Sequence, residues 1–279
     1  METGNYVVLT LAAAIIIAIL GLAVLWRRHR IHRNHLYAEL ARTRHDIVQS
    51  HPVRVQHPEL ADQLTAVFAR SRIVTIPSFM DREHFERLRS EARENLCRVE
   101  RSFIPGHKKG GTVAYERLHR HAPACVAFYH SPVIQQFVSQ VVGVPVFPTP
   151  DQDQSSLSLL CYTEAGDHIQ WHYDHNFYRG RHFTVLLPLI NSGPDGRLSQ
   201  SEFQEQRSRF DIHTHETAPN TLVIFEGARV RHRATPIGPG DERLMLSMTY
   251  SADPRNNSWK EFIRRVKDTA FYGLRALWD

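Results

Sequence analysis

Cysteine is scarce in this chain: three residues (Cys97, Cys125, Cys161), odd in number and without a CxxC spacing. That set excludes a disulfide framework and a zinc knuckle, and it suits a reducing compartment. Internal repeats and low-complexity tracts are absent. With 42% hydrophobic and 23% charged residues, the 279-residue chain is neither a disordered tail nor an array. No cation precedes the one long apolar run, because the leader METGN carries only Glu2. A cleaved signal peptide is thereby excluded, since it needs positive residues before a shorter apolar stretch.

That run occupies residues 6–26, 21 positions without a charge. At about 1.5 Å per residue it matches the roughly 30 Å hydrocarbon core of a bilayer, which predicts an N-terminal transmembrane helix over 1–28. The next segment, 29–57, reads as a basic juxtamembrane stalk. Seven arginines against Glu39 and Asp46 give residues 27–54 a balance of +5, equal to the formal charge of the whole chain. Orientation then follows the positive-inside rule: a single-pass membrane protein with its bulk on the cytoplasmic side. Residues 55–279 keep only +1. The basic character is thus a membrane feature rather than a nucleic-acid-binding face, and no nucleic acid is expected as a partner. A glycosylation acceptor triplet at 256–258 would matter only in the opposite orientation.

The folded domain is expected over 58–279. RIVTIP (72–77) reads as a short strand, and Asp81 caps a helix in which Phe85, Leu88, Ala92 and Leu96 recur at intervals of three and four. IPGHKKGG (104–111) reads as a loop, either a plain surface connection or a lid. From 155 to 251 the pattern changes to short β-type runs: SLSLLCYT (156–163), HIQWHYD (168–174), HFTVLLPL (182–189), TLVIFE (221–226) and RLMLSMTY (243–250). Turn residues separate them, and no helical period intervenes. The fold class is therefore mainly β, a double-stranded β-helix or jelly roll with flanking helices. Helical spacing returns at 259–278, where an amphipathic helix would lie on the barrel or on a membrane surface.

Chemistry concentrates in QWHYDHN (170–176). Residues two apart on a strand share a face, so His172 and Asp174 present an imidazole and a carboxylate to one ion. His232, 58 residues further on, lies on another β-type run. Two histidines and a carboxylate form the facial triad of non-haem Fe(II), with the opposite face of the octahedron open; zinc enzymes keep one open position. Eleven residues after His232, Arg243 opens the last long strand and supplies a two-pronged carboxylate binder. Ser247 shares its strand face. With 18 histidines, the chain also offers a cupin-like alternative drawn from His168, His175, His213 and His215. Trp171 and Tyr173 point away from the ligands and are expected in the core.

These residues and their setting, from RIVTIPSFMD through YTEAGDHIQWHYDHN, RHFTVLLPLIN and PNTLVIFEG to HRATPIGPGDER, resemble the iron(II)- and 2-oxoglutarate-dependent oxygenase superfamily in its prolyl-4-hydroxylase-like branch. The resemblance covers roughly 180 residues. It implies that His172, Asp174 and His232 bind Fe(II), and that Arg243 pairs with the distal carboxylate of 2-oxoglutarate. Tyr162 and Thr184 would add hydroxyl contacts to that carboxylate. It further implies an O2-consuming hydroxylase that releases succinate and CO2 and acts on a small-molecule, lipid or peptide substrate. Three departures narrow the reading. Asp174 stands where halogenating relatives have Gly or Ala. Thr249 stands where nucleic-acid demethylases carry a second Arg. Met248, Thr249 and Tyr250 replace the Trp that prolyl hydroxylases place after the Arg. The competing class is a non-catalytic jelly-roll module on a membrane stalk, binding a partner or sensing oxygen or iron.

Overall fold

The computed structural model describes the backbone of residues 2–255 with Lys260, Ile263, Arg264 and Lys267, and their side chains except those of residues 2–14, 22, 26 and 29. The triplet at 256–258 and most of the helix expected at 259–278 lie outside the described residues. Of the expected membrane span, the side chains up to residue 14 also lie outside what is described. Among the described residues no helix is long and apolar enough to cross a membrane.

The helical first half comprises α1 (Glu2–Ser50), α2 (Leu60–Ser71), α3 (Arg82–Glu94), α4 (Tyr115–His121), α5 (Pro123–His130) and α6 (Pro132–Val142). Interspersed with these are β1 (Ile73–Ile76), β2 (Glu100–Ile104) and β3 (Lys108–Val113). The second half is β4 (Phe147–Pro148), β5 (Leu157–Tyr162), β6 (His168–His172), β7 (His182–Ser192), β8 (Phe203–Gln206), β9 (Ile212–His215), β10 (Leu222–Phe225), β11 (Arg231–Ala234) and β12 (Glu242–Ser251). The five β-type runs of the sequence correspond to β5, β6, β7, β10 and β12. The cap at Asp81 is also in place, its side chain accepting from the His84 N–H at 3.1 Å.

All strand pairs are antiparallel, in the order β1-β10-β7-β12-β5-β3-β6-β11-β8-β9, with β2 on β3 and β4 on β12. The sheet curls on itself. Phe203 of β8 touches Phe225 of β10 at 5.6 Å between ring centroids, although the two strands stand near opposite ends of the order. The result is a nearly closed, jelly-roll-like barrel. β7 shows how its two faces differ. Phe183, Val185 and Leu187 join the outer core with Phe68, Leu88 and Phe137 of the helices. His182, Thr184 and Leu186 line the interior. Both faces are covered, so the strand reads as a continuous apolar run rather than an alternating one. Pro188 lacks a ladder N–H, and the β7–β12 register shifts opposite it, between Leu244 and Met245.

Three sequence expectations change. First, the Gly-Lys segment is not a loop: residues 108–113 form β3, inside the sheet between β5 and β6, and only residues 105–107 turn. Glycine is required there because a Cβ on Gly111 would meet the Val99 side chain at 2.2 Å, and one on Gly110 the Tyr162 ring at 3.1 Å. Second, the segment read as a basic stalk outside the folded domain packs against it. α1 is continuous to Ser50 and buries Tyr37 and Leu40 in the domain core. Arg44 clamps Asp151 with 2.8 Å contacts to both carboxylate oxygens. Third, Trp171 and Tyr173 are not core residues. Every residue of β6 is partly exposed, Trp171 lies beneath the guanidinium of Arg233 at 4.4 Å, and Tyr173 is half exposed.

One turn fixes the strands that carry the site. Between β5 and β6 the fully buried Asp167 accepts from the N–H groups of Thr163 and Glu164, each at 3.0 Å, and from both Nη atoms of Arg101 at 2.7 and 2.8 Å. Burial opposes ionisation of this carboxyl, but Arg101 and the two amides outweigh it and hold the pKa below the ordinary value. Its contribution to stability is therefore present above about pH 4 and lost as pH falls through the native pKa. Asp167→Asn should cost about 3 kcal/mol at pH 7, the penalty for breaking a buried pair. Urea unfolding at pH 7 and pH 4 should show a smaller acid-induced loss in the variant than in the parent.

Candidate active site

The end of β6, the residues after it and β11 bring His172, Asp174 and His232 together. His232 and His172 are directly opposed in the β11–β6 pair. Asp174 reaches the same point because its N–H donates to Gly227 O at 3.0 Å. One candidate ligand atom from each residue lies within 4.8 Å of the others. Asp174 Oδ1 is 3.6 Å from His172 Nε2 and 3.7 Å from His232 Nε2. Both imidazoles are oriented by backbone: His172 Nδ1 contacts Gln170 O at 2.7 Å and His232 Nδ1 contacts Val230 O at 2.9 Å. A carbonyl only accepts, so Nδ1 carries the proton and the Nε2 lone pair faces the shared point. Burial pushes the His232 pKa down to about 4. For Asp174 burial acts upward, but the His232 and His172 imidazoles hold the carboxyl well below its usual range. Burial thus keeps the His232 imidazole neutral at neutral pH beside an ionised Asp174, the states a divalent ion requires of them.

The Asp174 carboxylate sits in a fitted seat. Thr184 Oγ1, a hydroxyl expected near the cosubstrate, donates to its Oδ2 at 2.5 Å. A Cβ on Gly227 would stand 2.2 Å from Asp174 Oδ2 and 2.7 Å from Thr184 Oγ1. Gly227→Ala should therefore displace the carboxylate and weaken Mn(II) or Fe(II) binding about 10- to 100-fold, as disturbed outer-shell support does. Electron paramagnetic resonance of free Mn(II) would measure it.

The triad opens into a cavity of about 230 Å³. Tyr162 and Arg243, directly paired across β5 and β12, both line it. Arg243 is fully buried; its Nη atoms donate to Ser201 Oγ at 2.7 Å and Thr217 Oγ1 at 3.3 Å, while the buried Nε has no partner. Burial lowers its pKa to about 10 and raises that of Tyr162 to about 12, so the pair remains a guanidinium and a phenol. A buried cation with an unfilled donor at the cavity wall fits a carboxylate such as the distal one of 2-oxoglutarate. Ser247 also lines the cavity, but four residues of strand, roughly 13 Å, separate it from Arg243. Its register partner is Ser158, and its hydroxyl belongs to the middle of the cavity.

The alternative histidine ligands do not converge. Among the described residues the triad is the one cluster of three potential ligands. His168 Nδ1 contacts Gly166 O, His215 pairs with Glu205 at 2.9 Å, His213 stands edge-on to His215, and His175 stacks on Phe177. Several lining residues carried no recognisable motif. His107 stands edge-on to His172 at 5.7 Å from the β2–β3 turn, and Lys108, His182 and Lys267 also face the cavity. The Gly-Gly pair after Lys108 was the available signal: consecutive glycines beside a lysine mark a close backbone approach as readily as a loop.

The fold is the one shared by iron(II)- and 2-oxoglutarate-dependent oxygenases, and His172, Asp174 and His232 are the residues that would hold a metal. Among solved structures, the fold is similar to the non-haem alpha-ketoglutarate-dependent epimerase SnoN of nogalamycin biosynthesis (17% identity, 70% of this chain and 81% of that one, TM-score 0.57). It is also similar to the Trichoplax adhaerens prolyl hydroxylase solved with a hypoxia-inducible-factor peptide (12%, 71% and 91%, 0.58). A Pseudomonas putida prolyl-4-hydroxylase gives 15% identity over 70% of this chain and all of the other, with a TM-score of 0.54. No curated protein matches the sequence. A family model described as Halogenase D, HalD, matches residues 56–271, and the chain belongs to that family.

Proposed function

We propose that this protein is a membrane-anchored hydroxylase that couples oxidation of its substrate to conversion of 2-oxoglutarate into succinate and CO2. The observation that carries hydroxylation, rather than the halogenation in the family's description, is the seated Asp174 carboxylate. It occupies the metal position that halogenating relatives leave open for a halide, and the carbonyl of Gly227, the missing Cβ there and the Thr184 hydroxyl are all shaped around it.

Iron with 2-oxoglutarate, when bound, supplies the power to activate O2 and oxidise a C–H bond. The protein's own residues bind, orient and shield. His172 and His232 would offer Nε2 lone pairs fixed by their Nδ1 contacts, and Asp174 would offer a carboxylate. Arg243 and Tyr162 receive the far carboxylate of the cosubstrate in a wall that excludes bulk water. Leu160, Leu186, Phe203, Phe225 and Met245 line the cavity between them and keep it apolar.

Anchoring rests on the uncharged run at 6–26 and on the side chains near its end. Ile15, Ile16, Ile17, Ile19, Leu20, Val24 and Leu25 are all exposed and cover every side of α1, a surface suited to lipid rather than water. The basic collar orients the catalytic domain toward the cytoplasm. α1 is docked on the domain from Tyr37 onward, about 15 Å of helix beyond the run, so the active site is held close to the membrane.

The test incubates the full-length chain with Fe(II), 2-oxoglutarate and membrane or soluble extract in chloride buffer. Succinate and a product heavier by one oxygen atom are expected. A chlorinated product would replace hydroxylation with halogenation, and absence of Fe(II)-dependent succinate would favour the non-catalytic class. Fractionation with and without residues 1–28 tests the anchor.

A further inference from the structure

Alternation along β11 sends His232 into the cavity and its neighbours Arg231 and Arg233 to the outer side of the sheet. There they meet Trp171, one of the two aromatic residues that the sequence pattern assigns to the core. With His232 opposite His172 in the antiparallel pair, Arg231 falls beside Tyr173 and Arg233 beside Trp171. The Trp171 ring centre is 4.4 Å from the guanidinium carbon of Arg233 and 5.7 Å from that of Arg231. All three side chains are partly exposed, and Tyr173 stands half exposed where the row reaches the rim of the cavity.

What holds the two arginines in place is neutral. Arg231 Nη1 donates to Gln206 Oε1, and Arg233 Nε donates to Gln204 Oε1 at 2.8 Å. These glutamines are their register partners on β8. A glutamine oxygen orients a guanidinium without cancelling its charge, and each guanidinium keeps further N–H donors for another acceptor. Among the described residues neither arginine forms an ion pair with a carboxylate. Glu202 is engaged at 2.5 Å by Gln204 and at 3.3 Å by Thr214, and the buried Glu205 faces His215 and Arg207. The row Arg233, Trp171, Arg231, Tyr173 is thus a cationic and aromatic surface whose charge is not compensated within the described residues.

Spacing and shape identify the occupant. The two cations are alternate residues of one strand, roughly 7 Å apart along it. Such a pair does not converge on a single phosphate, but it matches the alternate side chains of an extended peptide, which repeat at the same interval. The indole lies beneath a guanidinium instead of protruding, so it offers no tip for insertion into a bilayer. A planar guanidinium donates two parallel hydrogen bonds to a carboxylate. We propose that the outer face of β6, β11 and β8 docks an acidic segment of a partner protein. The segment runs extended along β11, with carboxylates two residues apart on Arg233 and Arg231. Trp171 supports both guanidiniums, and Tyr173 adds an aromatic contact at the cavity end of the row. The surface lies outside the metal site and stands independently of the oxygenase reading.

The test follows the fluorescence anisotropy of a labelled peptide that alternates glutamate with serine, titrated with the full-length chain in non-ionic detergent. Saturable binding is expected. The same peptide with glutamine for glutamate should not bind, and one of equal composition with its glutamates in a single block should bind more weakly. Arg231→Gln and Arg233→Gln should each weaken the alternating peptide about fivefold. Arg27→Gln with Arg28→Gln, in the basic collar, should leave it unchanged. Because His232 lies between the two arginines, circular dichroism and Mn(II) affinity are measured for every variant. Arg231→Lys and Arg233→Lys, which keep the charge, replace the glutamine variants if those are misfolded, and they should retain only part of the binding. Binding unchanged in the variants of both arginines, a loss as large in the collar variant, or equal binding of the alternating and blocked peptides would each overturn the proposal. Displacement of the peptide by equimolar inorganic phosphate would give the face to a phosphate ligand instead. Loss of peptide binding in phosphatidylserine nanodiscs, but not in phosphatidylcholine ones, would give it to the membrane; either result also overturns the proposal.

Discussion

Asp174→Ala should abolish succinate formation, a loss of at least about 10³-fold, and remove stoichiometric Mn(II) binding as well. The Asp174 carboxylate stands 3.6 and 3.7 Å from the two imidazole Nε2 atoms, so the three candidate ligands act as one unit. Removing the carboxylate deletes the only negative charge of the set and leaves two imidazoles, which bind a divalent ion poorly at an open site. The Thr184 hydroxyl loses its acceptor at the same time. Asp174→Asn serves as the companion variant, keeping shape but not charge. It should also fall below one-hundredth of parental turnover while preserving thermal stability within a few degrees. Retained turnover in either variant would remove Asp174 from the metal.

Arg243→Ala should raise the 2-oxoglutarate concentration needed for half-maximal turnover by about 30- to 1,000-fold, the factor corresponding to about 2–4 kcal/mol for a buried, charge-assisted pair. The guanidinium is fully buried and keeps one donor unfilled, so its loss leaves the cosubstrate carboxylate facing an apolar wall. Arg243→Lys should recover only part of the effect, because a point ammonium cannot donate to Ser201 and Thr217 while also engaging a carboxylate with two parallel bonds. The expected signature is a shift in KM for 2-oxoglutarate with kcat at saturation reduced less than tenfold. An unchanged KM would assign the cosubstrate to another cation, with Lys108 an alternative on the cavity wall.

Much of the site was legible before any coordinates. The HxD spacing worked because alternation along a strand is a fixed geometric rule, and β6 is followed by a chain that keeps Asp174 on the side of His172. Arg243 was legible for the same reason, as the first inward residue of a long strand. The hydrogen bond from Thr184 to Asp174 was not legible, since the sequence does not show that Gly227 leaves room for a carboxylate beside it. Lys108 and His107 were missed because the strand that carries them has glycines where most strands have branched residues. Their space is filled by Tyr162 and Val99, one brought in by β5 and the other folded back from before β2. Trp171 and Tyr173 were misjudged because alternation tells which side chains share a face, not whether anything covers that face.

By itself the sequence determined the local chemistry: the strand periods, the helix cap at Asp81, the order of the metal and carboxylate ligands, and the position of the basic charge. Each depends on residues a few positions apart, where covalent geometry alone sets which side chains lie together. Only the tertiary structure decided that the Gly-Lys segment is a central strand, that α1 is welded to the domain through Tyr37, Leu40 and Arg44, and that Lys108, His182 and Lys267 meet in one cavity. Those depend on contacts between segments tens to more than a hundred residues apart. Such contacts form because closing the barrel buries apolar surface, a driving force that carries no local pattern from which the partners can be read.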